Sequence, residues 1–467
     1  MISFKKDEFL NLISNNLNVL KILFPLAILS CNPYTKNHQP NIILIMTDDQ
    51  GWAQTGYYNH PILETPNLDD MASNGIRFDR FYAAAPVCSP TRASILTGRS
   101  NNRTGVPSHG HALRLQEKTI AEALKKAGYL TAHFGKWGID ADPSILGYDF
   151  HDGKNGNKEG GFNNDNSQWK ISFSEDPKNI FSLTGKAINF IEKQKENNKP
   201  FFLQLSHYAL HTNLISKKST YDKYLNKKKY SETDHPGFAA MNEDLDQGLG
   251  LILNKIEELD LSENTYIIYT ADNGSVPTIP ARKFYKKSIN YPLSRGKWDA
   301  MEGGIRVPFI VSGPKVKAIE CKVPVVGYDL LPTIIDIVNP DFIPKENIDG
   351  GSFKNILFGD GKGIVKRSND GLIFHVPYEN RIALNRAHSS IISDNYKLIK
   401  FRDNNELNLF DLDNDISEKI DISDFKPEIT NLLESNLDNY LQDVNSLKWK
   451  KGINWKNIDI KKVNSFY

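Results

Sequence analysis

"NIILIMTDDQG", Asn41 to Gly51, decides the fold. Ile42 to Met46 is an unbroken apolar run, the pattern of a strand buried on both faces of a parallel sheet, and it stops at two carboxylates, Asp48 and Asp49. "NTYIIYTADNG" (Asn264–Gly274) repeats the design and stops at Asp272 and Asn273. "KPFFLQLSHYALH" (Lys199–His211) reads as a third buried strand. Between these runs lie helical patterns: "TIAEALKKAGYLTAHFGKW" (Thr119–Trp137) reads as helix, glycine stop and strand, and "FAAMNEDLDQGLGLILNKIEEL" (Phe238–Leu259) as a long helix. "GGIRVPFIVSGP" and "YDLLPTIIDIV" continue the alternation. Strand and helix in repeated turn predict an α/β fold, a large mostly parallel sheet sandwiched by helices, over residues 41–370. Residues 371–467 read as a smaller C-terminal α+β subdomain. There "SSIISDNYKLIKFRDNNELNLFDLDND" (Ser389–Asp415) predicts antiparallel hairpins turning at "RDNNE", followed by an amphipathic helix over Lys426–Val444.

The chain has 467 residues, 39% hydrophobic and 24% charged, with a formal net charge of +1. That balance gives no global case for nucleic acid or an anionic surface as partner. Residues 1–31 read as a signal peptide: the apolar run "ILFPLAILS" (Ile22–Ser30) is too short to span a bilayer. Ile28-Leu29-Ser30-Cys31 resembles a bacterial lipobox, so Cys31 is the expected lipidation site and residues 32–40 a tether, with an ordinary cleaved signal or a buried hydrophobic strand as the alternatives. An exported cell-envelope protein, periplasmic or an outer-membrane lipoprotein, touching the membrane through its lipid anchor only, is the expectation. Of three cysteines, this leaves Cys88 and Cys321, without the spacing of a disulfide framework or a zinc site.

In open parallel sheets, ligands bind beyond the carboxyl ends of the strands. Asp48, Asp49, Asp272 and Asn273 would all converge there. Three carboxylates in one place repel unless a cation neutralises them, and an all-oxygen set favours Ca²⁺ or Mg²⁺. Taken singly, each pair is an ordinary strand-ending turn. "PVCSPTRASILTGR" (Pro86–Arg99) places Cys88 at a helix start, with Arg92 one turn on and Gly98 closing the helix. A helix N-terminus welcomes an anion; an isolated cysteine there is otherwise a small buried hydrophobe.

The two clusters together resemble the type I, formylglycine-dependent sulfatases of the alkaline phosphatase superfamily, bacterial polysaccharide sulfatases among them. "TDDQG", "CSPTRASILTGR", "GYLTAHFGKW", "PFFLQLSHYALHT", "DNG", "SRGKWDAMEGGIRVPFIVSG", "DLLPTIIDI" and "DNYKLIKF" carry the resemblance, in the family's order, over roughly residues 40 to 415. It implies a catalytic sulfatase domain over residues 41–370 and a hydrolase removing sulfate from a sulfated carbohydrate, such as ulvan, carrageenan-type galactans or glycosaminoglycans. It assigns Asp48, Asp49, Asp272 and Asn273 to one divalent cation, usually calcium. Cys88 becomes the formylglycine (3-oxoalanine) precursor, converted by a formylglycine-generating or anaerobic sulfatase-maturating enzyme. Arg92 steadies that residue, Lys136 and Lys297 grip the sulfate, and His211 protonates the leaving alcohol. The implied mechanism is attack on sulfur by the aldehyde hydrate, then sulfate expulsion with return of the aldehyde.

One departure stands out. Many members of that family carry a histidine where "GKWGID" has Gly138, and His109 and His111 in "PSHGHAL" are candidate substitutes, substrate contacts or plain loop residues. "ARKFYKKS" (Ala281–Ser288) mixes basic and aromatic residues suited to sugar rings, whereas "KKSTYDKYLNKKKY" (Lys217–Tyr230) reads as a solvated helix face. His375, Arg386 and His388 are weaker candidates for the pocket. Two rivals remain at this level: a phosphomonoesterase or phosphodiesterase of the same superfamily, and an inactive glycan-binding envelope lipoprotein.

Overall fold

Asn41–Thr47 forms β1, and each of its residues is buried. Its apolar side chains divide by parity: Ile42, Leu44 and Met46 enter one core, Ile43 and Ile45 another. A strand that feeds two cores has no polar face, which is why the run is unbroken. The further strands are β2 (Ile76–Phe78), β3 (Leu130–Gly135), β4 (Phe150–His151), β5 (Phe201–Ser206), β6 (Thr265–Ala271), β7 (Phe309–Ser312) and β8 (Ile319–Cys321). They complete an eight-stranded sheet in the order β8-β2-β7-β6-β1-β5-β3-β4. β1 lies between β6 and β5, parallel to both, with Ile43 opposite Ile267 and Leu203. β7 runs antiparallel to its neighbours β6 and β2, so the sheet is mixed at that one strand.

Helices cover both faces. On the first lie α1 (Pro66–Asn74), α4 (Ile180–Glu196) and α5 (Pro236–Glu258), burying residues such as Met71, Ile191 and Ile252. On the second lie α2 (Cys88–Thr97), α3 (Ile120–Lys126) and α6 (Leu330–Val338), with Ile95, Leu124 and Ile334. α3 starts with a capping box, Thr119 accepting from the Glu122 N–H and Glu122 from the Thr119 N–H.

The computed structural model describes residues 39–279, 284–339 and 347–454. Residues from Pro40 on belong to one compact unit. The signal and lipobox segment, Cys31 included, lies outside the described residues, as do residues 281–283 of the basic-aromatic loop. Near the C-terminus, β9 (Leu372–Val376), β10 (His388–Ser393), β11 (Tyr396–Phe401) and β12 (Leu407–Asp411) form an antiparallel sheet in chain order. α7 (Pro427–Asp443) packs Leu433, Leu437 and Tyr440 against it. Among the described residues, no helix is long and apolar enough to cross a membrane. Cys88 and Cys321 are both free and buried.

Candidate active site at the sheet rim

β1 ends at Thr47, and its next residues are held from both sides. The Asp48 N–H donates to Ala209 O after β5 (2.8 Å), and the Asp272 N–H after β6 donates to Thr47 O (3.1 Å). Asp49 takes a left-handed backbone conformation, φ 59°, uncommon for a residue other than glycine. Asp48, Asp49 and Asp272 thus meet in one buried cluster in which one oxygen from each carboxylate lies within 4.8 Å of the other two.

Each carboxylate has a cation. Lys136, just past β3, donates from Nζ to Asp48 Oδ2 at 2.5 Å. Lys297 donates to Asp49 Oδ1 at 2.6 Å. Arg92 binds Asp272 Oδ2 through Nε (2.9 Å) and Nη2 (2.7 Å), and its Nη1 donates to the Lys136 carbonyl (2.6 Å). One guanidinium therefore ties the Cys88 helix to both strand ends. Burial and Asp48 raise the Asp272 carboxyl above the ordinary range, against the pull of Arg92. Burial opposes the charge of Lys297, but Asp49 leads the groups that push its ammonium up.

Three oxygens of the set have no partner: Asp48 Oδ1, Asp49 Oδ2 and Asn273 Oδ1 are buried and accept nothing. The Asn273 amide nitrogen donates to Asp49 Oδ1 (2.7 Å), which turns its oxygen free. Buried, unsatisfied oxygens in a cluster are costly unless something fills the gap. Oxygen donors only, with no histidine or cysteine in the cluster, suit a hard divalent cation rather than a zinc pair.

Cys88 is the first residue of α2, and all ten residues of that helix are buried. Ser89 Oγ donates to the Gly138 carbonyl at 2.5 Å, fixing the helix start against the Lys136 segment. The loop with Lys297 is anchored on the other side, the Trp298 N–H donating to Pro86 O at 2.8 Å. His211 completes the group: Nε2 stands 3.9 Å from Asp49 Oδ2 and 3.1 Å from Asn157 Nδ2. Its Nδ1 lies 2.7 Å from the Thr212 carbonyl, which only accepts, so Nδ1 carries the proton in the neutral ring. Burial holds His211 well below the usual histidine range.

Of the two substitutes for the missing histidine, His109 feels Lys297, Lys136 and Asp49 and is lowered to about 4, chiefly by burial. His111 is lowered by burial. A side chain at Gly138 would touch Arg92 Cδ, 3.3 Å from an added Cβ. His375, Arg386 and His388 are engaged elsewhere. Both ring nitrogens of His375 are bound, to Ser389 Oγ and Leu447 O, and Arg386 pairs with Asp403 and Glu406. His388 Nε2 accepts from the Ala300 N–H at 2.9 Å, behind the Lys297 loop. Phe284 of the basic-aromatic segment is exposed, and Lys287 lies over the Tyr291 ring at 4.2 Å.

Two residues were missed from sequence. Asn157 holds His211 from a loop without a motif. Lys178 is a buried lysine in "EDPKN", a stretch that reads as a surface turn.

A family model described as Sulfatase matches residues 40–340, and the N-sulphoglucosamine sulphohydrolase C-terminal model matches residues 297–446. The chain belongs to the sulfatase family. This sulfatase is 28% identical to arylsulfatase G of Rattus norvegicus over 478 aligned positions, covering 88% of each chain. It is also 28% identical to an ulvan-active sulfatase of Formosa agariphila, over 70% of this chain and 69% of that one. The crystal structure of Ps i-CgsB in complex with k-i-k-neocarrahexaose superposes with a TM-score of 0.75 at 25% identity, covering 92% of this sulfatase and all of that chain. The protein is a sulfuric ester hydrolase with the alkaline phosphatase-like fold of that family.

Proposed function

We propose that this sulfatase removes sulfate from a sulfated polysaccharide or its oligosaccharides, using formylglycine made from Cys88. The observation that carries the reading is the meeting of three unsatisfied buried oxygens with the Arg92-anchored start of the Cys88 helix. Asp48, Asp49, Asp272 and Asn273 would hold one divalent cation, Ca²⁺ or Mg²⁺. When bound, it supplies positive charge that polarises a nucleophilic oxygen and a sulfuryl oxygen. Formylglycine, as its hydrate, supplies two hydroxyls: one to attack sulfur, one whose proton loss frees the sulfate.

The chain's own residues do the rest. Arg92 locks the Cys88 helix to the strand ends. Lys136 and Lys297 lend their ammonium charge to the sulfuryl oxygens, which stabilises charge in transfer. Thr212 fixes the His211 ring and leaves Nε2 to exchange a proton with the leaving oxygen. Because Nε2 lacks a proton in the neutral ring, the proton it gives must first arrive there. His109, which feels the charges of Lys297, Lys136 and Asp49, is the candidate group for acting on sulfate release.

The similarity to an ulvan-active sulfatase and to a carrahexaose-bound structure supports a carbohydrate substrate. The same reading places the catalytic domain at residues 41–370 and the subdomain at 371–467. It also has the chain exported, lipidated at Cys31, held in the cell envelope and matured by a formylglycine-generating or anaerobic sulfatase-maturating enzyme. Ion chromatography of sulfate released from a panel of sulfated oligosaccharides tests the reaction. Mass spectrometry of the Cys88 peptide should show aldehyde; thiol alone in an active preparation would refute the proposed chemistry.

A further inference from the structure

Lys178 sits in the turn before α4 with 3% of its surface exposed. Buried lysines are rare and, as a rule, paired. Lys136 and Lys297 each hold a carboxylate. Among the described residues the Lys178 ammonium has no hydrogen-bond or ion-pair partner. Its ammonium is lowered to about 7, chiefly by burial, with Lys136 adding to the effect and Asp48 and Asp49 opposing it.

Its place is set by one short loop. Asn179 Nδ2 donates to Glu159 O at 2.8 Å. Two residues earlier, Asn157 holds His211. Asn155 accepts from the Trp137 N–H through Oδ1 (2.8 Å) and from the Gly138 N–H through its carbonyl (3.1 Å). The Lys178 turn is therefore tied to the chain beside Lys136 and to the proton-exchanging histidine. Lys178 and Asn179 are both left-handed, with φ 54° and 57°, a conformation that costs non-glycine residues energy and concentrates at functional sites.

Charge gives the direction. Asp48, Asp49 and Asp272 are matched by Lys136, Lys297 and Arg92. Lys178 is left over, and a divalent cation would enlarge the surplus. Such a pocket calls for an anion.

We propose that Lys178 is a further substrate-contacting residue, its ammonium donating to an oxygen of the bound sulfate ester alongside Lys136 and Lys297. The assignment rests on the sulfate-ester reading above. The test uses the mature, metal-loaded enzyme, with inorganic sulfate as probe by calorimetry, sulfate release from an oligosaccharide substrate, and thermal melting. Lys178→Met should weaken inorganic sulfate binding about tenfold or more, the loss of one charged hydrogen bond, and lower kcat/KM alike. Its melting temperature should hold or rise, because an unpaired buried charge is gone. Lys178→Arg should restore most of the sulfate affinity. A Met variant that binds and turns over like the wild type overturns this assignment alone. So does one that no longer folds, since the ammonium is given no structural work. A wild type that neither binds inorganic sulfate nor releases it from any substrate would sink the sulfatase reading of the pocket and this assignment together.

Discussion

Among the described residues, two of the buried clusters of charge are built on opposite terms. Behind the C-terminal sheet, Lys397 is wholly buried with Nζ 3.0 Å from Glu302 Oε1 and 2.8 Å from Glu418 Oε1, the second an ion pair without hydrogen-bond alignment. Glu302 Oε2 also takes Tyr82 Oη (3.2 Å) and Arg306 (3.4 Å), while Glu418 Oε2 accepts from the Glu302 N–H at 2.8 Å. Charge there is used up within the protein. At the rim of the main sheet, three buried oxygens are left without a hydrogen bond. Closed accounts mark structure; buried acceptors left over in a cluster mark a place made for something else.

The sharpest break between the two is chemical. Cys88→Ala should cut sulfate release by at least about 10³-fold with the melting temperature nearly unchanged; a variant that keeps its activity would remove the rim from the chemistry. Next comes Lys397→Met, which leaves two carboxylates facing each other. It should cost about 3–5 kcal/mol in denaturant unfolding, and a neutral result would mean that this cluster is not structural. Metal removal comes third. A chelator should lower stability by about 2.7 kcal/mol relative to enzyme held at a hundredfold excess of Ca²⁺ over its Kd, and a melting curve that ignores the chelator would leave the orphaned oxygens unexplained. Asn157→Ala removes the partner of His211 Nε2 and should lower kcat about tenfold, roughly 1.4 kcal/mol, with KM held; a KM change alone would make Asn157 a binding residue.

The smallest effect is one of pH and should not distinguish the regions. His133 under the rim and His375 in β9 are both lowered to about 3, chiefly by burial. The unfolded chain then takes up more protons than the folded one below its histidine pKa, so stability falls as pH drops through 6.5 toward 3. From pH 7 to 6 the loss is below about 1 kcal/mol per group, read from paired denaturation curves.

Much of this was legible in sequence, for a physical reason. β1, β5 and β6 are central, so burial on both faces wrote continuous apolar runs, and the polar residues that end them could only lie at the rim. The edge strands β4 and β8, and β2 beside β8, of two or three residues each, carry no such pattern. The antiparallel sense of β7 left none either, since "FIVS" packs alike in both directions. Asp48, Asp49, Asp272, Asn273 and Cys88 stood out because each adjoins a strand end or a helix start. Lys178 and Asn157 did not, because their roles depend on burial by chain far away. Lys397 and Glu302 are 95 residues apart, and nothing local announces their pairing.

Gly135 and Gly274 carry no charge, yet the site hangs from them. A Cβ on Gly135 would strike the Ser206 carbonyl oxygen, to which the Lys136 N–H bonds at 2.7 Å; one on Gly274 would strike that of Gly303, beside the Lys297 loop. A methyl group at either position would pry a lysine off its seat while every reactive atom stayed in the sequence. Such a descendant would keep every carboxylate, lysine and the cysteine and still be silent at the bench, so the hydrogens of two glycines belong on the checklist of a working sulfatase as surely as its carboxylates.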